Sequence, residues 1–463
     1  MEGQIAQKST ANRNYRSGMN TGINTIPLDT SDAFVALHAR RNFTLNVIEG
    51  GLFMFGMNMV SSYTVLPYLV KQFSDQQLYQ GLIPAIGNIG WLLPGLFVAP
   101  YIAQLWTRKI PMLIASFFER IPWLLMGIWL FMGNTLAPST TLMLFFGLYS
   151  LHVFSAGATA VIWQDYIGRV IPERRWGTFF GMQSGLGSLL GVAGAAVATQ
   201  VLAGQAITVG GVNLLGGYTF PFNIGVLSLI CFGCLVVSFV FLVFTVEPRI
   251  PPQPKQPIWD SIKQMPDILR RDNMFRTYLL SRTGVSLGIL GHSFVMAAAL
   301  NRFHSSGEMV GAFTLVLSAA QALGNFGLGA LADRWGHKQV LVLSGFIGAL
   351  SLLLAWVAPT EWWYFVIFVC SGIAMAGYQL SSFSIVMLFS TNELRPLYIA
   401  TANTFNVPVM ALAPIGAGWL AGEMGYVGLF GVLAAFGVIG TLVMQWKVRL
   451  PQKAPLTESI GQA

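Results

Sequence analysis

Four charged side chains of this 463-residue chain lie well inside long apolar stretches: Glu49, Glu119, Arg120 and Arg282. An ionised group at the centre of a bilayer costs roughly 2.5–3.5 kcal/mol even on the most lenient insertion scale, so such residues are functional candidates by default. At 1.5 Å per helical residue, Glu49 falls about 8 Å and Arg282 about 9 Å from one membrane face, with Glu119 and Arg120 about 14 Å deep. His152, counted from the other face, belongs to the same layer. A carboxyl group in low dielectric can take up a proton and carry it across. Glu49 is the first candidate for that chemistry and Glu119 the second. Glu119 and Arg120 are neighbours pointing about 100° apart on a helix, which argues against either being the other's main partner.

The elements that hold these residues follow from composition. The chain is 54% hydrophobic and only 10% charged, with a mean hydropathy of +0.62. A soluble domain carries about 25% charged residues, and a single soluble core stops growing near roughly 250–300 residues. Lipid is therefore the expected solvent. Twelve apolar stretches run approximately over 43–70, 80–104, 110–132, 139–166, 177–203, 222–246, 277–300, 308–332, 339–357, 362–389, 397–421 and 426–446. Each is of the length, about 20 residues, that crosses a bilayer as a helix. The fold class is an all-α membrane protein. A soluble enzyme, a secreted disulfide scaffold and a disordered chain are excluded.

Of the 26 lysines and arginines, 22 fall in the termini and alternate loops, and only Lys71 and Arg302 in the loops between them. By the positive-inside rule this places both termini in the cytoplasm, as expected of a multi-pass protein of the cell membrane. The net charge of +8 comes from short clusters rather than a basic run, so no nucleic-acid partner is expected. Cys231 and Cys234 form a C-x-x-C inside an apolar helix without further ligands, which reads as packing rather than redox or metal chemistry. No metal site and no cofactor are expected.

The first 42 residues are polar and lack the apolar core of a cleavable signal peptide, so 1–42 reads as a cytoplasmic tail. Residues 43–246 form a first six-helix bundle and 277–447 a second, with a linker at 247–276 and a tail at 448–463. The linker opens with Pro248, Pro251, Pro252, Pro254 and Pro257, then sets Ile258, Ile262, Met265 and Leu269 at helical spacing beside Lys263, Arg270 and Arg271. That pattern predicts a short helix lying on the inner membrane surface. The halves look like copies: Arg41 and Arg276 lie 235 residues apart, Lys109 and Lys338 229, Arg175 and Arg395 220. Parallel repeats of this kind imply a pseudo-twofold axis along the membrane normal, with a site at the repeat interface.

The eighth stretch ends in Gly329-Ala330-Leu331-Ala332-Asp333-Arg334-Trp335-Gly336-His337-Lys338. With six-plus-six spans and a long central loop, this resembles the loop signature of the major facilitator superfamily, at Gly329, Leu331, Asp333, Arg334, Gly336 and Lys338. In the chemistry of that loop, Gly329 lets a helix end approach a neighbour, Asp333 accepts hydrogen bonds at a helix N-terminus, and Gly336 supplies turn freedom. The resemblance implies a conformational latch, with its partner near Gly177 at the start of span five. The first-half copy departs, with Pro100, Gln104 and Thr107 at the Gly, Asp and second Gly positions, so basic anchoring is the simpler reading there. The glycines of span five, and Pro414, Gly416 and Gly418 in span eleven, are similar to exporters of the superfamily. Small-residue packing between helices accounts for them equally.

The resemblance also implies that spans one, four, seven and ten line a cavity, bringing Glu49, His152 and Arg282 to the pathway, with Arg120 neutralising Glu49 or another acid from behind. Asn58 and Gln379 are the uncharged cavity candidates, while Gln321 and Asn325, at i and i+4, share a face of span eight. The chain is thus expected to be a monomeric secondary transporter of a small organic solute, coupled to protons and directed to export of amphipathic compounds. Proton-coupled uptake of a small polar solute, or a transporter-like receptor, is the alternative. Without H-E-x-x-H, G-x-S-x-G or a Walker A sequence, the motifs give no support to an intramembrane enzyme or an ATP-driven pump.

Overall fold

The computed structural model describes residues 32–132, 136–172, 175–205, 207–209, 212–215, 217–250, 258–389 and 395–450. The first half contains α1 (Asp32–Met59), α2 (Val65–Phe73), α3 (Gln77–Ala103), α4 (Lys109–Phe131), α5 (Pro138–Val170), α6 (Trp176–Leu202) and α7 (Phe222–Val243). A two-stranded antiparallel hairpin, β1 (Ile207–Val209) with β2 (Val212–Leu215), separates α6 from α7. The expected linker helix is present as α8 (Ile258–Arg271). The second half contains α9 (Asn273–Leu290), a 3-10 turn (Gly291–Phe294), α10 (Val295–Phe303), α11 (Gly307–Trp335), α12 (His337–Val357), α13 (Trp363–Leu388) and α14 (Arg395–Lys447). α14 breaks at Gly425, where φ is 71°.

Nine helices among the described residues are long and apolar enough to cross a membrane, by length and composition. One of them, Thr401–Lys447, is two helices read through the break at Gly425. With that stretch divided, and α1–α2 and α3 ahead of the others, the order follows the expected spans. Three differences have physical reasons. α1 begins eleven residues before the expected start at 43, because residues 32–42 hold Ala, Leu and Arg and no Gly or Pro to stop a helix. The first span is not one helix but breaks between Met59 and Val65. The Ser61 carbonyl accepts the N–H groups of Val65 and Leu66, both at 3.0 Å, so the break leaves its new helix end satisfied. The linker helix does more than lie on a surface: Met265 is buried, and Ile268 and Leu269 pack on the core of the second half.

The matching break in the second half is the 3-10 turn at Gly291–Phe294. Val60 and Gly291 lie 231 residues apart, within the range of the other repeat markers, so both copies interrupt their first span at the same level. Within the first half, α1 packs on α6 and α7, α3 on α5, and α4 on α5 and α7; within the second, α9 and α12 pack on α14, and α13 on α11 and α12. The halves meet chiefly through two pairs, α6 with α11 and α3 with α14, with smaller contacts of α2 on α10 and α11 and of α3 on the 3-10 turn.

The core is unevenly shared between the two ends of the molecule. At the end carrying the β-hairpin, one continuous apolar cluster joins both halves, from Leu66, Leu69 and Leu202 to Phe294, Val310 and Phe313. At the opposite, basic end the halves have separate cores, around Tyr166 and Phe179 in the first and around Phe275 and Tyr278 in the second. Close backbone approach holds the helices within the first half, notably where Gly157 of α5 faces the Gly90 carbonyl of α3. A Cβ at Gly157 would fall inside that oxygen's van der Waals shell, whereas Gly147, on the same helix, faces open space. Gly157→Ala is therefore expected to cost about 1–3 kcal/mol and to lower the unfolding midpoint in detergent. Gly147→Ala should leave it unchanged or raise it.

Candidate functional site

Between the halves lies a cavity of about 430 Å³. From the first half, α1 contributes Glu49 and Asn58, and α4 contributes Glu119 and Arg120. Trp91 of α3 and Trp163 of α5 stand on the same wall. The facing wall comes from α11, with Ser318, Gln321 and Asn325, and from α13, with Gln379. The i, i+4 pair on span eight thus shares the cavity face, and three of the four intramembrane charges converge on one space.

The charged group is built around Arg120, whose partners come from three helices. Its Nε donates to the Leu235 carbonyl and its Nη1 to the Ser116 carbonyl, both at 2.8 Å. Nη1 stands 3.4 Å from Glu119 Oε2 and Nη2 3.9 Å from Glu49 Oε1. The Ser238 hydroxyl donates to Glu49 Oε1 at 3.0 Å, and the guanidinium lies over the Phe239 ring, 5.4 Å from its centroid. Glu49, Glu119 and Arg120 are all buried. The expected contact between Arg120 and Glu49 is present. Glu119 also reaches Arg120 despite being its neighbour, because both long side chains bend toward the same interior space.

His152 is buried behind this cluster and is not among the residues lining the cavity. Its Nδ1 lies 2.8 Å from the Glu119 carbonyl oxygen and 3.2 Å from Trp123 Nε1. Nδ1 donates to that carbonyl in the tautomer that protonates it and accepts the Trp123 indole N–H in the other. Arg282 is also absent from the cavity lining; it is half-buried in the second half, beside Tyr278 and Tyr378. Asn58 sits where the halves touch: its Nδ2 donates to the Met54 carbonyl at 2.9 Å and its Oδ1 accepts the Ser318 hydroxyl at 3.0 Å. Next to it the hydroxyls of Thr64 and Thr314 bond at 2.6 Å, also across the halves. Gly311 lies against Thr199 so closely that a Cβ there would enter its backbone. These contacts close the cavity toward the hairpin end.

At the basic end, the signature loop turns at Gly336, where φ is 87°. Lys338 Nζ donates to the Gln445 carbonyl at 2.9 Å, at the end of α14. Arg334 is exposed. Gly329 has no neighbour within 4 Å of a built Cβ, so in this conformation the close approach expected of it is not made. The side chains of Asp333 and Gly177 lie outside the described residues. The first-half loop is more than basic anchoring. Lys109 Nζ donates to the Val243 and Thr245 carbonyls, both at 2.7 Å, the counterpart of the Lys338 contact. Glu247 accepts the backbone N–H groups of Arg108 and Lys109 at 2.7–2.8 Å and so caps α4. Burial pushes the Glu247 carboxyl above the ordinary range, and those two N–H groups pull it back. Buried Arg108 pairs with Asp165, and Arg169 stands 3.4 Å from the same carboxylate. The sequence signal for this network was the run Arg108-Lys109 facing Asp165 and Glu247 at helix ends, which no local motif connects.

Residues 274–462 match the family model described as Major Facilitator Superfamily. The whole fold agrees with it: the nucleoside transporter NupG, solved as a mutant, superposes with a TM-score of 0.66 at 13% identity, covering 88% of this chain and 100% of that one. The chain has the Major Facilitator Superfamily fold. A D-xylose-proton symporter gives a TM-score of 0.62 at 16% identity, over 88% of this chain and 98% of that one. A bacterial homologue of the human lysosomal transporter Spinster, inward-facing and unoccupied, gives 0.60 at 14% identity, over 91% and 100%. With its membrane-length helices, a chain of this fold is an integral membrane protein.

Removing one partner of a buried ion cluster costs about 3–5 kcal/mol, whereas replacing the whole cluster by neutral groups is often close to neutral. Arg120→Ala is thus expected to unfold at clearly lower temperature in detergent than the triple variant Glu49→Gln, Glu119→Gln, Arg120→Met. Equal midpoints would show that the three charges are not coupled.

Proposed function

We propose that this protein is a proton-coupled secondary transporter that moves a small organic solute by alternating access. The observation that carries the reading is the cavity between the halves, which holds two buried carboxyl groups and is closed at one end only. Residues 43–246 and 277–447 are the two bundles that rock, and the protein works as a monomer. With the basic end in the cytoplasm of the cell membrane, as the distribution of lysine and arginine supports, the described conformation is inward-facing. The Gly329–Lys338 loop, at that open end, then acts as the latch of the opposite state, when its end of the molecule closes. Export of amphipathic compounds is favoured by the two tryptophans in the cavity wall and by the glycines of α6 and α14.

Proton coupling is assigned to Glu49. The groups around it are Glu119 and Arg120 from α4 and Ser238 from α7, so its only cationic neighbour among the described residues is already shared with a second acid. Arg120 cannot neutralise both carboxylates, and a proton on one of them completes the balance. In proteoliposomes, Glu49→Gln should abolish transport driven by an imposed pH gradient while the protein still inserts and folds. Unchanged pH dependence in that variant would refute the assignment. The rocking motion has its own test. Cysteines replacing Thr64 and Thr314 should cross-link under mild oxidation and stop solute flux reversibly, with reduction restoring it; undiminished flux in the cross-linked protein would rule out opening at this end.

A further inference from the structure

The cavity that this reading treats as the transport site is asymmetric in charge, and the asymmetry bears on what it binds. Its first-half wall carries two carboxyl groups and one guanidinium, and its second-half wall carries no charge among the described residues. Arg120 is poorly placed to receive an anion. Its Nε and Nη1 already donate to main-chain carbonyls at 2.8 Å, and Nη2 lies 3.4 Å from the Ser238 oxygen, so no free fork of donors faces the cavity. Its distances to the carboxylates, 3.4 and 3.9 Å, are too long for strong charge-assisted bonds. With both acids ionised the wall carries one negative charge in excess, which either a proton or a bound cation balances; beyond Arg120 the acids have only the hydroxyls of Ser238 and Thr159 as side-chain partners among the described residues.

Two further observations concern the rest of the lining. Trp91 is 56% exposed and, with Trp163, gives the charged wall two indole rings, the side chain whose face attracts cations most strongly. On the opposite wall Asn325 and Gln379 make no hydrogen bond among the described residues, and the Gln321 amide reaches only the Met375 sulfur at 3.7 Å. Those amides have donors and acceptors to spare. A cavity of about 430 Å³ suits a compact organic molecule rather than a metal ion or a peptide.

We infer that the cavity binds a small organic monocation with an aromatic or apolar body, its positive end held between Glu49, Glu119 and the indoles, and its polar end by Gln321, Asn325 and Gln379. A carboxylate or phosphate solute of the same size is rejected, because it would face two acids and an arginine whose donors are occupied. This inference rests on the transporter reading, yet it concerns which solute enters rather than whether the solute is carried.

The test uses the full chain in nanodiscs and in liposomes. Equilibrium binding of radiolabelled 1-methyl-4-phenylpyridinium, a monocation, is compared with that of the similarly shaped anion biphenyl-4-carboxylate and the neutral biphenyl-4-carboxamide. The cation should bind about tenfold or more tightly than either, the worth of one charge-assisted hydrogen bond. Glu49→Gln and Glu119→Gln should each remove most of that preference for the cation over the neutral probe. Trp91→Ala, which touches no ion pair, should weaken cation binding by about threefold to tenfold and keeps the test open where a glutamate variant fails to fold. Equal or tighter binding of the anion, no binding of the cation, or a preference unaltered in both glutamate variants would overturn the inference. Flux in liposomes separates the two claims: a cation that binds but is never moved by an imposed gradient counts against transport and leaves the recognition standing. A neutral or anionic solute that is moved while the cation is not bound does the reverse.

Discussion

The organisation of this protein depends on one guanidinium placed out of water between two carboxyl groups. Arg120 cannot be left alone in lipid, so the chain surrounds it with the Leu235 and Ser116 carbonyls, the Ser238 hydroxyl and the Phe239 ring. Those partners lie on α4 and α7, and Glu49 on α1, so satisfying one charge ties three helices of the first half together. His152 adds a fourth helix, its Nδ1 lying 2.8 Å from the Glu119 carbonyl oxygen. The same cluster is exposed on one side to the space between the halves. A structural necessity of the bundle and the chemistry of the cavity are thus carried by the same atoms.

The second constraint is the uneven core. A single apolar cluster at the hairpin end makes the two halves one body there, while separate cores at the basic end let them part. The contacts that seal the joined end are of a kind that can be remade: hydroxyl to hydroxyl at Thr64 and Thr314, amide to hydroxyl at Asn58 and Ser318, and backbone against glycine at Gly311. None of them buries an unpaired charge, so separating them exposes groups that water satisfies well. At the basic end, by contrast, the strong charge-assisted contacts of Arg108, Asp165, Lys109 and Glu247 stay within the first half, and that of Lys338 stays within the second. The ionic contacts thus lie within each half, whereas the hydrogen bonds that join the halves at the hairpin end are between uncharged groups.

Much of the fold was legible because lipid imposes simple rules. Span-length apolar runs, basic loops on one side and near-constant offsets between Lys109 and Lys338 or Arg41 and Arg276 all follow from the cost of burying backbone and charge in hydrocarbon. The breaks at Val60–Thr64 and Gly291–Phe294 were not legible, since neither contains the proline that marks an interruption in an apolar span. Of the candidate residues, Glu49, Glu119, Arg120, Asn58 and Gln379 line the cavity, whereas His152 and Arg282 do not. Depth along a helix can be counted from sequence, but the direction in which a side chain points around that helix depends on which neighbours pack against it. For the same reason the Asp165–Arg108 pair and the Glu247 cap went unread: their members are 57 and 139 residues apart.

By itself, then, the sequence determined the solvent, the repeat and the depth of the charges, because hydropathy, loop charge and residue spacing are additive along a chain. Only the tertiary structure decided that three of those charges share one cavity, that the cavity is sealed at one end, and that its two walls differ in charge. Those properties depend on rotation about helix axes and on the angle between two bundles, which no local pattern encodes.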